Sequence, residues 1–313
     1  MPNDKRTTKN LIKMKRTLLL LCVALLSIWG ASAQQDPQYT QYMYNMNVVN
    51  PAYAGSKESL SIGLLYRNQW AGFDGAPTTY TFSAHSPIGE KTGLGVSAIS
   101  DEYGPVKETN AYIDFSYTLG LGGATKLAFG VKAGATFQDV GLLGVDLTDM
   151  DDPAFSSNVD ETYANFGAGF LLYADNYYIG FSVPNILETI HLDTEGVEYG
   201  SEQRHFFATA GYVFQLGDNT KFKPSTLLKT AFGAPLSFDV NANFLFYDRF
   251  EIGASYRYED AVSGLVSFRA TDWVQLGFAY DYTISDIDEP SYEAFILFDI
   301  YFKEKTFRSP RYF

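Results

Sequence analysis

The sequence predicts an all-β chain, a transmembrane antiparallel β-barrel of about fourteen strands. Three observations carry this. Apolar side chains recur at every second position from about residue 57 onward. The connections between these segments alternate between short and long. Aromatic residues reach 16%, with 23 Tyr and 25 Phe, whereas no apolar run long enough for a membrane helix occurs past the N-terminus. A helical span needs about 20 consecutive apolar residues, so helical membrane proteins are excluded.

Leu236–Asp248 illustrates the alternation. Leu236, Phe238, Val240, Ala242, Phe244 and Phe246 share one face, opposite Ser237, Asp239, Asn241 and Asn243, and Leu245 breaks the pattern. A strand sends successive side chains to opposite faces. In 272–283, Val274, Leu276, Phe278, Tyr280 and Tyr282 oppose Trp273, Gln275, Gly277, Ala279 and Asp281. Ala294, Ile296, Phe298, Ile300 and Phe302 likewise oppose Phe295, Leu297, Asp299 and Tyr301. The second face mixes charge, amide and glycine, which makes a poor dry core. A fourteen-stranded barrel is also too wide for apolar side chains alone to fill. The apolar face is therefore expected to meet lipid. A secreted β-sandwich shares the same alternation and remains the alternative at this point.

The expected strands are 57–67, 77–86, 91–101, 107–118, 124–137, 161–173, 176–184, 203–215, 221–231, 235–246, 249–258, 261–269, 272–283 and 292–303. If both termini lie in the periplasm, every even-numbered connection is a short periplasmic turn. The outer loops then include the two longest stretches, 138–160 and 184–202. That asymmetry is the one expected of outer-membrane barrels.

Leu18–Gly30 is the one long apolar run. It follows Lys13, Lys15 and Arg16 and precedes Ala31-Ser32-Ala33, the pattern of a secretory signal peptide cleaved after Ala33. Removing residues 1–33 takes away six bases and one acid, leaving 17 bases against 35 acids, a net charge of −18. A surface so acidic excludes nucleic-acid binding. It also removes Cys22, the one cysteine, so no disulfide supports the exported chain. The expected parts are a signal peptide (1–33), an N-terminal segment (34–56), a barrel (57–303) and a tail (304–313).

No catalytic or cofactor-binding constellation is found. His85, His191 and His205 lie far apart with no metal-ligand spacing, and there is no nucleophile elbow or phosphate-binding loop. Gly93, Gly95, Gly167 and Gly169 fall within strands, where close packing or a bend is the expectation. The acidic run Asp146–Asp152 reads as a solvated outer loop, with a divalent cation as the other possibility.

The tyrosine-rich N-terminal segment either enters the lumen as a plug or projects into the periplasm as a contact. Asn50-Pro51 and Ala54-Gly55 point to a tight turn leading into the barrel. Arg67 and Trp70 read as a cation beside an interfacial aromatic, or as a partner contact.

Asp36–Ser56 with its NPAYAG, Leu64–Tyr80 with its YRNQW, Gly93–Pro105 and Phe246–Arg257 together closely resemble the PorP/SprF family of outer-membrane proteins, from about Gln35 to Phe313. The resemblance implies an integral outer-membrane barrel of the type IX secretion and gliding systems. Its implied partners are other type IX components and a secreted adhesin or cargo with a C-terminal signal domain. On this basis Asn50, Pro51, Tyr53, Arg67, Trp70, Asp101 and Pro105 are the candidate partner-binding residues. The competing function is a porin-like or fatty-acid-type transport channel.

Overall fold

A computed structural model describes residues 38–144, 158–187, 190–194, 197–201, 204–231, 236–285, 287 and 289–302. The expected signal peptide, the acidic run 146–152 and the tail 304–313 lie outside these residues.

The strands are β1 (Ser59–Asn68), β2 (Thr78–Pro87), β3 (Thr92–Tyr103), β4 (Val106–Gly122), β5 (Thr125–Val140), β6 (Val159–Tyr173) and β7 (Tyr177–Val183). After the hairpin β8 (Ile190–Thr194) and β9 (Val197–Ser201) come β10 (His205–Tyr212), β11 (Phe214–Gly217), β12 (Thr220–Ala231) and β13 (Ser237–Phe246). The last four are β14 (Phe250–Arg257), β15 (Ala261–Thr271), β16 (Val274–Thr283) and β17 (Ser291–Tyr301).

Every pairing is antiparallel; the hairpin β8–β9 stands apart from the wall, and β7 pairs across it with β10. β1 closes on β17, and β10 reaches across to β12. β10 and β11 form one wall strand broken at Val213, whose N–H bonds to Asn176 O at 2.8 Å. The wall is therefore a closed fourteen-stranded barrel. The expected strand 203–215 is corrected to this broken pair. The expected 124–137 runs on to Val140, because β4 and β6 both extend far enough to pair with it.

At one end the chain turns within residues 88–91, 123–124, 174–176, 218–219, 247–249 and 272–273. The opposite end carries the long connections, such as 69–77 and 284–290. The short-turn end faces the periplasm by the rule for such barrels.

The apolar face looks outward. In β13, Asp239, Asn241 and Asn243 are buried while Val240 and Phe244 are exposed. In β16, Ala279 and Asp281 are buried while Phe278, Tyr280 and Tyr282 are exposed. A sandwich would bury the other face. This inversion, with a closed wall, is that of a barrel solvated by lipid, where closure leaves no unpaired edge.

The core sits inside the barrel, built around residues 38–56. These form a 3-10 turn at Tyr42–Tyr44, a four-residue helix α1 at Met46–Val49 and a second 3-10 turn at Pro51–Tyr53. Tyr42, Met46 and Ala52 are almost wholly buried, against inward-facing Ile99, Leu171, Phe207, Leu227, Phe295 and Leu297.

Candidate functional site

The site is the filled lumen, and it divides into a seat, a middle and a mouth. The seat holds Asn50–Gly55 near the periplasmic end. Asn50 caps the second 3-10 turn: its Oδ1 accepts from Ala52 N–H at 3.0 Å, and its Nδ2 donates to Phe170 O at 3.0 Å. Pro51 at the first turn position has no N–H to leave unsatisfied. Ser116 Oγ donates to Ala54 O at 2.6 Å, and Gly55 N–H donates to His85 Nδ1 at 3.2 Å.

Glycines on the wall make room for this turn. A Cβ on Gly130 would lie 2.2 Å from Ala52 N, one on Gly93 2.2 Å from Ala54 O, and one on Gly169 2.3 Å from Asn50 Oδ1. No side chain fits at those distances. Gly55 itself has φ +67° and closes on Gly93, so two backbones meet where any side chain would clash.

In the middle, buried charges hold the segment. Lys132 Nζ donates to Val48 O at 2.9 Å, stands 3.6 Å from Asp114 and lies over the Tyr112 ring. Asn47 Nδ2 donates to Asp114 at 3.2 Å, and Ser182 Oγ to Val49 O at 2.8 Å. Tyr44 O–H donates to Glu251 at 2.5 Å, and Glu251 pairs with Lys223 at 2.9 Å. Asn241 Nδ2 donates to the Tyr42 hydroxyl oxygen at 3.4 Å.

At the mouth, Glu293 and Asp281 meet the start of the segment, with Arg67 between them. Arg67 Nη1 is 2.8 Å from Asp281 and 3.2 Å from Glu293. Above lies an open vestibule lined by Gln38, Tyr39, Val48, Phe207, Leu227 and Arg257 among others. Gln38 is thus at the outer mouth, whereas β1 starts at the short-turn end.

The candidate contact residues separate. Asn50, Pro51 and Tyr53 are buried in the seat, and Arg67 is 2% exposed in the lumen. The interfacial reading of Arg67 is corrected, because residue 67 has the parity of inward-facing Ser59 and Ser61. Asp101 is buried near the mouth and accepts from Thr79 Oγ1 at 2.5 Å. Trp70 and Pro105 lie in outer connections. Trp70 holds φ +51° with its N–H on Ser291 Oγ at 3.0 Å, and Pro105 O accepts from Gly141 N–H at 2.9 Å. Asp281, Glu293, Asp114 and Lys132 were not singled out from sequence. Each lies on the polar face of its strand, and that parity is the signal that marks them.

A closed, lipid-facing barrel around a filled lumen defines an integral outer-membrane protein. The family profile "Type IX secretion system membrane protein PorP/SprF" matches residues 31–301. The chain belongs to that family. A search of curated proteins finds no match. Among solved structures, the "CymD monoaromatic hydrocarbon channel" is similar at 14% identity and a TM-score of 0.52, covering 83% of this chain and 93% of that one. The Ralstonia pickettii toluene transporter TbuX is similar at 12% identity and a TM-score of 0.49, covering 82% and 93%. The likeness to CymD concerns the fold. The family is one of type IX secretion system membrane proteins.

Proposed function

We propose that this barrel supports export and surface anchoring of a partner adhesin, or of other cargo with a type IX C-terminal signal domain, by docking it at the outer mouth. Family membership supplies the system, and one structural observation carries the docking reading. The outer vestibule ends on residues 38–49, buried across the lumen, so a molecule entering from outside meets a floor. A floored vestibule suits holding a partner better than passing a solute. Export through cleavage after Ala33 is part of the same reading.

Affinity purification of the tagged barrel in detergent tests it, with identification of the co-purifying surface protein. Deleting the gene in the native host should strip that protein from the cell surface. A deletion strain that keeps every surface adhesin in place overturns the proposal. The channel alternative requires a continuous lumen, and steady conductance by the purified wild-type barrel would favour it.

A further inference from the structure

The two ends of the inner segment are held by different physics. Residues 50–55 are held by shape, wedged against wall glycines that leave no space for movement. Residues 40 and 41 are held by charge. The two carboxylate oxygens of Glu293 accept the backbone N–H groups of Thr40 at 2.9 Å and Gln41 at 2.7 Å. Thr40 Oγ1 donates to Asp281 at 2.7 Å and accepts from Arg67 Nη1 at 3.0 Å. Arg257 Nη2 reaches the same oxygen at 3.4 Å while holding Asp239. All these side chains project from the wall near its outer rim.

Between the two ends, α1 separates open spaces. Val48 and Val49 line the outer vestibule, whereas Met46 lines both of two inner cavities and Asn47 lines one of them. The partition is therefore the short stretch 38–49, tethered at one end by a shape-locked seat and at the other by a charge cluster. That cluster is not saturated: among the described residues, Arg67 Nε is buried without a hydrogen-bond acceptor. A buried polar group without a partner costs free energy, so this cluster holds the segment less firmly than a fully paired one would.

We propose that Arg67, Asp281 and Glu293 form a latch on Thr40–Gln41, and that releasing it lets residues 38–49 leave the lumen while 50–55 stay seated. Release joins the vestibule to the inner cavities and converts a closed barrel into a conducting one. The wall does not change, because its strands are held by their own ladders. The proposal stands on this geometry and not on the docking reading.

The test is single-channel recording in planar bilayers of the purified full chain, with no partner present. Wild type should be closed for nearly all of the record. Glu293→Gln should raise the open fraction by about tenfold or more, the effect of one weakened contact worth about 1.4 kcal/mol. A chain lacking residues 38–49 gives the conductance of the fully open lumen, and the steps of Glu293→Gln should match it in size. Heat-modifiable migration on gels shows whether each variant is folded. Thr40→Val keeps every wall charge and removes only the hydroxyl, so it tests the latch even where Glu293→Gln fails to fold. Folded variants that remain as silent as wild type overturn the latch. So does a wild type that already conducts like the truncated chain. Silent variants leave open whether an adhesin docks at the mouth, whereas a conducting wild type also favours the channel alternative.

Discussion

Gly130 and Ala52 meet backbone to backbone: a Cβ on Gly130 would stand 2.2 Å from the Ala52 nitrogen. Ala52 is fully buried and its N–H is already committed to Asn50, so it has nowhere to retreat. Gly130→Ala is expected to destabilise the folded barrel by about 1–3 kcal/mol, the usual cost of overpacking. Urea unfolding of the barrel in lipid vesicles measures this. A midpoint equal to that of wild type would show that the seat does not press on β5.

The buried Lys132–Asp114 pair makes a second prediction. Lys132 is 1% exposed at its side chain and carries Val48 O as well as Asp114. Lys132→Met leaves a buried carboxylate without its cation, at a cost of about 3–5 kcal/mol. The double variant with Asp114→Asn removes the stranded charge and should recover part of the loss. Strictly additive effects in a double-mutant cycle would show that the two are not coupled.

Much of the wall was legible in the sequence because a half-lipid, half-polar strand imposes a strict period of two. Parity in β13 and β16 placed each side chain on its correct face. The inner segment was harder to read. Its helical pieces are three or four residues long, too short to show a helical period. Yet a signal existed in the exceptions. Leu245 interrupts the polar face of β13, and Phe295 and Leu297 interrupt that of β17. Phe295 and Leu297 are buried in the interior cluster, with the Tyr44 and Phe295 rings 4.5 Å apart. Apolar side chains on a lumen face report that the lumen holds something apolar. Arg67 stands three residues from the aromatic Trp70, which suggests an interface, but its parity with Ser59 and Ser61 places it inside. Asp281 and Glu293 lie on one face only after β16 and β17 pair, which spacing along the chain does not reveal.

The outward face can be tested with one charge. Val131 sits midway along β5 with 58% of its surface exposed. Val131→Arg is expected to cost about 2–4 kcal/mol of folding stability in vesicles, as arginine does at the bilayer midplane. Folding yield and urea midpoint in vesicles report it. A neutral effect would mean that this face is not in lipid.

The sidedness of the barrel can be read with cysteine, because Cys22 is the one cysteine in the chain and precedes the expected cleavage site. Asp74, in the connection from β1 to β2, and Asp175, in the turn from β6 to β7, are both exposed and lie at opposite ends of the wall. With Cys22 replaced by Ser, Asp74→Cys should react with a membrane-impermeant maleimide on intact cells. Asp175→Cys should react only after the outer membrane is permeabilised. The same label asks where the chain starts. Asp36→Cys lies two residues before Gln38, which lines the outer vestibule. An inner segment descending from the mouth to its seat predicts labelling of Asp36→Cys on intact cells, alongside Asp74→Cys. Protection of Asp36→Cys together with labelling of Asp74→Cys would mean that the segment threads the lumen in the opposite direction. The charge cluster of Arg67, Asp281 and Glu293 would then hold a different part of the chain.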